Sequence, residues 1–439
     1  MRYLLFSAER LSAADRACEG AGQRAVCGKN MLYTPLQIGH IVNLDPMSPF
    51  NALTERRLPE KITVYDSTLR DGEQMPGVHF SMDQKVAIAR KLDEVGVHQI
   101  EAGFPAVSQS ESESVKAVAS LELDAEVLCL ARAMEGDIDI AARCDVDMVL
   151  LFIATSELHL RYKLKLTKEE VLEKAVHATE YAAAHGLRVS MSTEDSTRSE
   201  LGFMLEVYRQ CEAAGAIRIG ITDTLGCASP EGVAHLTRDI RSGTSAPISA
   251  HLHNDFGLAL ANAIAALSSG AEAVATTVGG IGERAGNVSL EQLAMALKNL
   301  YNRDIGISME GLTELGEMVF DSAGIRMPAN QPWVGPNAFS HESGIHVAAV
   351  LNCPMTYECV APETVGNRRR LVLGKHSGTA IVLNRLADRG VSASQEQICD
   401  IVREIKRIGE RQGRVSDDEF WDIVDKTLSD GKDGRGCKE

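Results

Sequence analysis

Residues 62–102 read ITVYDSTLRDGEQMPGVHFSMDQKVAIARKLDEVGVHQIEA, and the change of period within this stretch decides the fold. ITVYDS (62–67) is a short run of β-branched and aromatic residues, as a buried strand requires. SMDQKVAIARKLDEVG then spaces its apolar residues for a helix and stops at a glycine, and VHQIEA (97–102) returns to strand character. This is one β/α unit, and it repeats. Further strand-like runs lie at 126–131 (EVLCLA), 147–153 (DMVLLFI), 188–193 (RVSMST), 217–222 (IRIGIT), 247–252 (PISAHL) and 273–278 (AVATTV). Helical stretches separate them. In TKEEVLEKAVHATEYAAAHG, Thr167 and Glu170 form a capping box and Gly186 a stop. Eight strands alternating with helices predict an α/β chain folded as a (β/α)8 TIM barrel over residues 58–302. An open doubly wound sheet also alternates, but it favours a Gly-rich phosphate loop after its first strand, and none follows ITVYDS.

Either side of the barrel the rhythm is lost. Residues 1–57 mix Gly, Pro and polar residues without a period and read as an N-terminal extension, partly disordered. From 303 to 428 helical patterns dominate, through SMEGLTELGEMVFDSAG, SASQEQICDIVREIKRIGE and SDDEFWDIVDKTL, and predict a helical accessory region that contributes to the active site. Residues 429–439 read as a flexible tail. The net charge of −16 argues against nucleic acid or an anionic membrane as partner. No apolar run is long enough to span a bilayer. MRYLLFSAERL is interrupted by charge at once, a poor secretory signal. The ten cysteines include no CxxC pair and read as free thiols of a cytoplasmic protein.

Barrel enzymes carry their sites at the C-terminal ends of the strands. After the first strand comes Asp66-Ser67-Thr68-Leu69-Arg70-Asp71-Gly72-Glu73-Gln74, at the end of the seventh His251-Leu252-His253, and after the eighth GGIGERAGN (279–287). Residues i and i+2 of a strand share a face, so His251 and His253 converge on one point of the mouth. Histidines at such spacing also occur in cores with both nitrogens satisfied. Here a carboxylate and an amide reach the same rim, and Asp71, His251 and His253 with Asn287 form a mixed nitrogen–oxygen set suited to a divalent metal (Mn, Mg or Zn).

Four segments, DSTLRDGEQMPGV (66–78), HLHNDFGLALANA (251–263), GGIGERAGNVSLE (279–291) and NAFSHESGIH (337–346), resemble the 2-isopropylmalate and homocitrate synthase family. The resemblance runs from about 60 to 425 and implies a metal-dependent acyltransferase. Such an enzyme condenses acetyl-CoA with a 2-oxo acid in a Claisen-type step and hydrolyses the thioester to a 2-hydroxy di- or tricarboxylic acid and CoA. The metal would polarise the keto group, with Arg70 stabilising the developing alkoxide; the competing reading of Arg70 is a structural ion pair with Glu101. By resemblance Gln74, Glu101, Ser192 and Thr224 surround the acceptor, and Glu194, His346 and Tyr357 form the proton-transfer machinery. The last two come from the helical region, which in this family reaches over a neighbouring barrel, so a homodimer is expected. His341 and Glu342 read as scaffold; Lys375 and His376 read equally as a CoA-phosphate contact or a solvated loop.

The long regulatory module usual in isopropylmalate synthases is expected to be missing after the accessory helices. Leu150 stands where those enzymes commonly have His, and SGIHVAAVL departs from their usual pattern. The expectation is a homocitrate-synthase-like enzyme taking 2-oxoglutarate, with Arg198 either pairing with the acceptor's second acidic end or serving as a surface charge. The alternatives are a metal-dependent citrate synthase taking oxaloacetate, a phosphonomethylmalate or phosphinomethylmalate synthase, and a 2-isopropylmalate or citramalate synthase. An acyl-CoA lyase is disfavoured because GGIGERAGN lacks the catalytic Cys of such loops. A non-catalytic metabolite-binding barrel is disfavoured by the intact set of reactive residues.

Overall fold

The computed structural model describes residues 46–48, 50–51 and 58–430. The expectations for the extension (apart from residues 46–48 and 50–51) and for residues 431–439 lie outside the described residues. Eight parallel strands close into a barrel, each beside the next in sequence and the eighth beside the first. They are β1 (Thr63–Asp66), β2 (Gln99–Glu101), β3 (Glu126–Arg132), β4 (Met148–Ala154), β5 (Arg188–Glu194), β6 (Ala216–Asp223), β7 (Ile248–Leu252) and β8 (Ala273–Thr276). The helices α1 (Met82–Glu94), α2 (Gln109–Ala119), α3 (Glu135–Arg143), α4 (Lys168–Ala184), α5 (Leu201–Ala213), α6 (Pro230–Gly243), α7 (Ala259–Ser268) and α8 (Leu290–Leu300) follow them in turn. The sequence boundaries hold to within two residues; Glu194, expected just after the fifth strand, is its last residue.

Local chemistry sets the ends of these elements. Ser81 and Gln84 close a capping box at the start of α1, and Thr167 with Glu170 does the same at α4. Gly96 and Gly186, with φ of +86° and +80°, end the same two helices in a conformation that costs other residues energy. The outer faces of the strands pack on the helices in one continuous apolar core. The inner faces fill the barrel in layers drawn from alternate strands. The pairing registers put Tyr65, Leu128, Ser190 and Ser249 in one layer, above Gln99, Met148, Arg218 and Ala273. The filling is uneven: β3 and β4 contribute Leu128, Leu130, Met148 and Leu150, whereas β5 and β6 contribute Ser190, Ser192 and Gly220.

Beyond the barrel, α9 (Leu312–Ser322) adds Leu312, Leu315 and Val319 to the barrel's own core. A short parallel pair, β9 (Ser340–His341) and β10 (Arg370–Leu371), lies among the expected helices; two residues per strand are too few to leave a period in sequence. The helices α10 (Gly344–Asn352), α11 (Thr379–Asp388), α12 (Gln395–Gln412) and α13 (Asp417–Asp430) surround a second apolar core. On α12, Ile398, Ile401, Val402 and Ile405 fall on one helical face and bury against Ile381, Phe420 and Val424. Among the described residues no helix is long and apolar enough to cross a membrane.

Candidate metal centre and active-site cavity

The loop after β1, the end of β7 and the loop after β8 meet at the barrel mouth. Asp71, His251 and His253 offer one ligand atom each, all within 4.8 Å of one another. His251 Nε2 lies 3.4 Å from Asp71 Oδ2 and 3.2 Å from His253 Nε2. The Nδ1–H of His253 donates to the Gly286 carbonyl at 3.2 Å, which leaves the Nε2 lone pair free to face the centre. Burial, then the neighbouring His251, push the His253 pKa down to about 4, so the ring is a neutral donor at physiological pH. Burial alone would raise the Asp71 pKa, but Arg70 and then His251 and His253 hold it well below the ordinary carboxylate range.

Asn287 completes the group. Its Nδ2 donates to Asp71 Oδ1 at 2.7 Å, while its Oδ1 is buried without a hydrogen-bond partner. An orphaned amide oxygen costs free energy unless something else meets it, and a divalent cation among two imidazoles and a carboxylate would do so. The donor set therefore fits a metal. Gly282 makes the close approach feasible: a Cβ there would stand 2.1 Å from Asn287 Nδ2 and 2.5 Å from Asp71 Oδ1. Glu291, fully buried at the start of α8, accepts the Gly279 N–H with both oxygens at 2.9 and 3.0 Å and so pins this loop.

A cavity of ≈350 Å³ opens beside the centre. Arg70, Gln74, Ser192, Glu194 and Thr224 line it with Asp71, His251 and His253. The ion pair expected of Arg70 is present, and the side chain also borders the cavity. Its guanidinium grips Glu101 at 2.7 and 3.0 Å and Asp71 at 2.7 Å, yet it still faces the cavity. Glu101 lies behind it, buried, and also accepts the Ser67 hydroxyl. Thr224 Oγ1 accepts the Asp195 N–H at 2.9 Å. Leu130 and Leu150 line the deeper wall, with Tyr65 beside them.

Three further groups singled out in the sequence do not line the cavity within one chain. Arg198 does not line the cavity: it is clamped on buried Asp195 at 2.8 and 2.7 Å, because a carboxylate three residues away is nearer than any ligand. His346 and Tyr357 stack on each other, ring centroids 4.0 Å apart, on an exposed face; within one chain neither lines the cavity. Lys375 and His376 are exposed in the accessory region, also away from it. His341 is tied to Glu358 at 3.1 Å, and Glu342 accepts the His376 N–H at 3.1 Å, as scaffold residues would be.

Several lining residues escaped the sequence, and Lys163 is the charged one among them that meets a site carboxylate. Lys163 lies in a wide helical turn (Leu160–Leu164) after β4 and holds both carboxylate oxygens of Glu194 at 2.6 Å. A wide turn has no signature in residue order. The available signal was positional, since every loop following a barrel strand borders the mouth.

The family model described as HMGL-like matches residues 61–319, and the homocitrate synthase post-HMGL domain-like model matches residues 333–413. The homocitrate synthase AksA of Methanothermobacter thermautotrophicus is 50% identical over 378 residues, covering 86% of this chain and 97% of the relative. A probable 2-isopropylmalate synthase of Methanopyrus kandleri is 50% identical over 354 residues, 81% of this chain and 71% of the relative. Among solved structures, the HMG-CoA lyase of Bacillus subtilis aligns with a TM-score of 0.57 at 20% identity, over 62% of this chain and 96% of that one, a likeness of fold.

Proposed function

This chain belongs to the HMGL-like family, in its homocitrate and 2-isopropylmalate synthase branch, and from that membership we propose that it condenses acetyl-CoA with a 2-oxo acid and hydrolyses the thioester, as a homocitrate-synthase-like acyltransferase. The single observation that carries the reading is the convergence of Asp71, His251 and His253, with the orphaned Asn287 oxygen, beside a cavity bordered by Arg70. A divalent cation held there, Mn, Mg or Zn, would supply Lewis-acid polarisation of the acceptor's keto group.

The chain's own residues do the rest. Arg70, fixed by Glu101 and Asp71, keeps its positive charge at the cavity wall where negative charge develops on the keto oxygen. Ser192 and Thr224 offer hydroxyls to the acceptor's carboxylate. Glu194 accepts a proton in the acid–base work of the thioester methyl, and Lys163 holds that carboxylate in place. His346 and Tyr357 reach a cavity only when supplied by a second copy, whose accessory region would lie over this barrel. Their exposure, beside an Ile345 that is 77% exposed, supports a homodimer with shared sites.

The test is thiol release from acetyl-CoA by EDTA-stripped protein, with Mn or Zn restored. A panel of 2-oxoglutarate, oxaloacetate, 2-oxoisovalerate, pyruvate and phosphonopyruvate serves as acceptors. Metal-dependent release with 2-oxoglutarate above the others is expected, and loss of it in His253→Ala. No release with any acceptor would end the reading.

A further inference from the structure

His159 stands behind the carboxylate assigned above to the thioester methyl. It closes a single helical turn after β4 (Glu157–His159), and its backbone N–H donates to Ser156 Oγ at 3.3 Å. The next residue, Leu160, is buried in the barrel's core and begins the wide turn that carries Lys163. His159 and Lys163 are four residues apart, so both side chains come onto Glu194 from one face. Glu194 lines the cavity and His159 does not. The imidazole is one carboxylate removed from the reacting atoms.

Its two ring nitrogens meet two carboxylates. Nδ1 lies 3.7 Å from Glu194 Oε1, and Nε2 lies 3.8 Å from Asp195 Oδ2. Consecutive residues of a regular strand point to opposite faces. Asp195 departs from that rule by leaving β5 at φ +63°, a left-handed conformation that strains a non-glycine residue, and both side chains come to one ring.

Neither carboxylate needs the ring to balance its charge. Lys163 holds both oxygens of Glu194 at 2.6 Å, and Arg198 holds Asp195 at 2.8 and 2.7 Å. Nδ1 is meanwhile buried with no hydrogen-bond partner among the described residues. A buried nitrogen left so costs free energy, and a counter-ion role does not account for it, because the cations are already in place. What the arrangement offers is a vacant proton site beside the proposed base, with a second carboxylate to face the cation that results. A gap of 3.7 Å is of the kind that closes when a substrate settles an acid–base pair.

Resting on the condensation reading above, we propose that His159 is the proton relay of the site, a positioning residue that acts through Glu194. The C–H bond of the thioester methyl breaks, its electron pair stays on carbon as the enolate, and the proton goes to Glu194 Oε1. It then passes to His159 Nδ1, which restores the carboxylate and leaves an imidazolium facing Asp195. The His159 side chain is 20% exposed, and from it the proton leaves to water. The completed turnover sets one proton free, as the carboxyl group made by thioester hydrolysis ionises.

The experiment compares metal-loaded wild type with His159→Gln, which keeps size and hydrogen bonding but takes no proton, and with His159→Ala. In both variants kcat for thiol release falls about 100-fold, the lower end of what a proton-transfer group contributes. KM for acetyl-CoA and for 2-oxoglutarate changes less than about twofold, since His159 touches neither. Imidazole added to His159→Ala restores part of kcat. At equal concentrations of free base, more basic imidazoles restore more, and triazole, of the same size, restores little. A full rate in His159→Gln, a loss carried by KM, or a rescue that follows size rather than basicity overturns the relay. A second readout needs no condensation. With oxalate in place of the acceptor, the methyl protons of acetyl-CoA exchange with deuterated water, followed by proton NMR. Wild type exchanges them about 10-fold faster than His159→Gln, in which the proton returns from Glu194 to carbon. Equal exchange in the two overturns the relay. A wild type that exchanges faster than His159→Gln but releases no thiol with any 2-oxo acid keeps the relay and sinks the condensation reading. Thiol release at the wild-type rate in His159→Gln sinks the relay and leaves the condensation standing. Neither exchange nor thiol release in wild type overturns both.

Discussion

Replacing Gly282 by alanine would place a methyl carbon 2.1 Å from Asn287 Nδ2 and 2.5 Å from Asp71 Oδ1. Non-bonded carbon contacts settle near 3.5 Å or beyond, so both groups must retreat by roughly 1 Å or more. Neither has slack: Asp71 is tied to Arg70, and Asn287 to Asp71 and the Ile281 carbonyl. The backbone at Gly282 sits at φ +152°, a conformation that adds about 1–3 kcal/mol of strain for an L-residue. Displacing one ligand and the amide that supports it should weaken metal binding about 100-fold, or roughly 2.7 kcal/mol. Isothermal titration of Zn or Mn into EDTA-stripped protein measures this. The control is Gly77→Ala: Gly77 also has a positive φ, +92°, but a Cβ there meets nothing within 4 Å. It should cost stability through its backbone alone and leave metal affinity unchanged. Equal metal affinity in the two variants would refute the assignment of Asp71 and Asn287 to the centre.

Two more outcomes follow from the same geometry. Asp66, fully buried, has its pKa raised to about 7, by burial first, against hydrogen bonds from Thr68 and Thr276. The unfolded value is about 3.9, so between these pH values the folded state binds the extra proton and stability falls as pH rises, by roughly 4 kcal/mol at most. In Asp66→Asn, urea melts from pH 4 to 8 should lack this downward component; an unchanged slope would contradict the buried-acid account. Lys163→Met frees Glu194, and kcat should drop by about 10- to 100-fold as the base loses its fixed position. Stability should change by less than about 1 kcal/mol, because Lys163 is half exposed. A wild-type rate would remove the pair from the machinery.

Much of this protein is written in short-range order. Barrel strands are buried on both faces, so each appears as a compact apolar run such as DMVLLFI, and each helix announces itself by period, cap and stopping glycine. The cluster of candidate metal donors was legible because two histidines one residue apart on a strand must share a face, and because rim loops hold their residues close together in sequence. The two-residue strands β9 and β10 and the wide turn that swings Lys163 onto Glu194 carry no such period.

Side chains that meet across the barrel belong to closure. Arg198 looked available for a substrate, but a local turn after β5, not barrel closure, sets it on the buried carboxylate of Asp195, three residues earlier. His346 and Tyr357 belong to a conspicuous motif, yet one chain leaves them on its surface. Arg218 reads as an unremarkable charge within IRIGIT; only the closed barrel sets it against Gln99, 119 residues earlier in the chain, and beneath the cavity. Sequence by itself determined the barrel and the residues at its rim, because period and strand alternation act between neighbours. The tertiary structure decided which charges are spent on one another and which remain free, because strand register and barrel closure set distances between residues far apart in the chain.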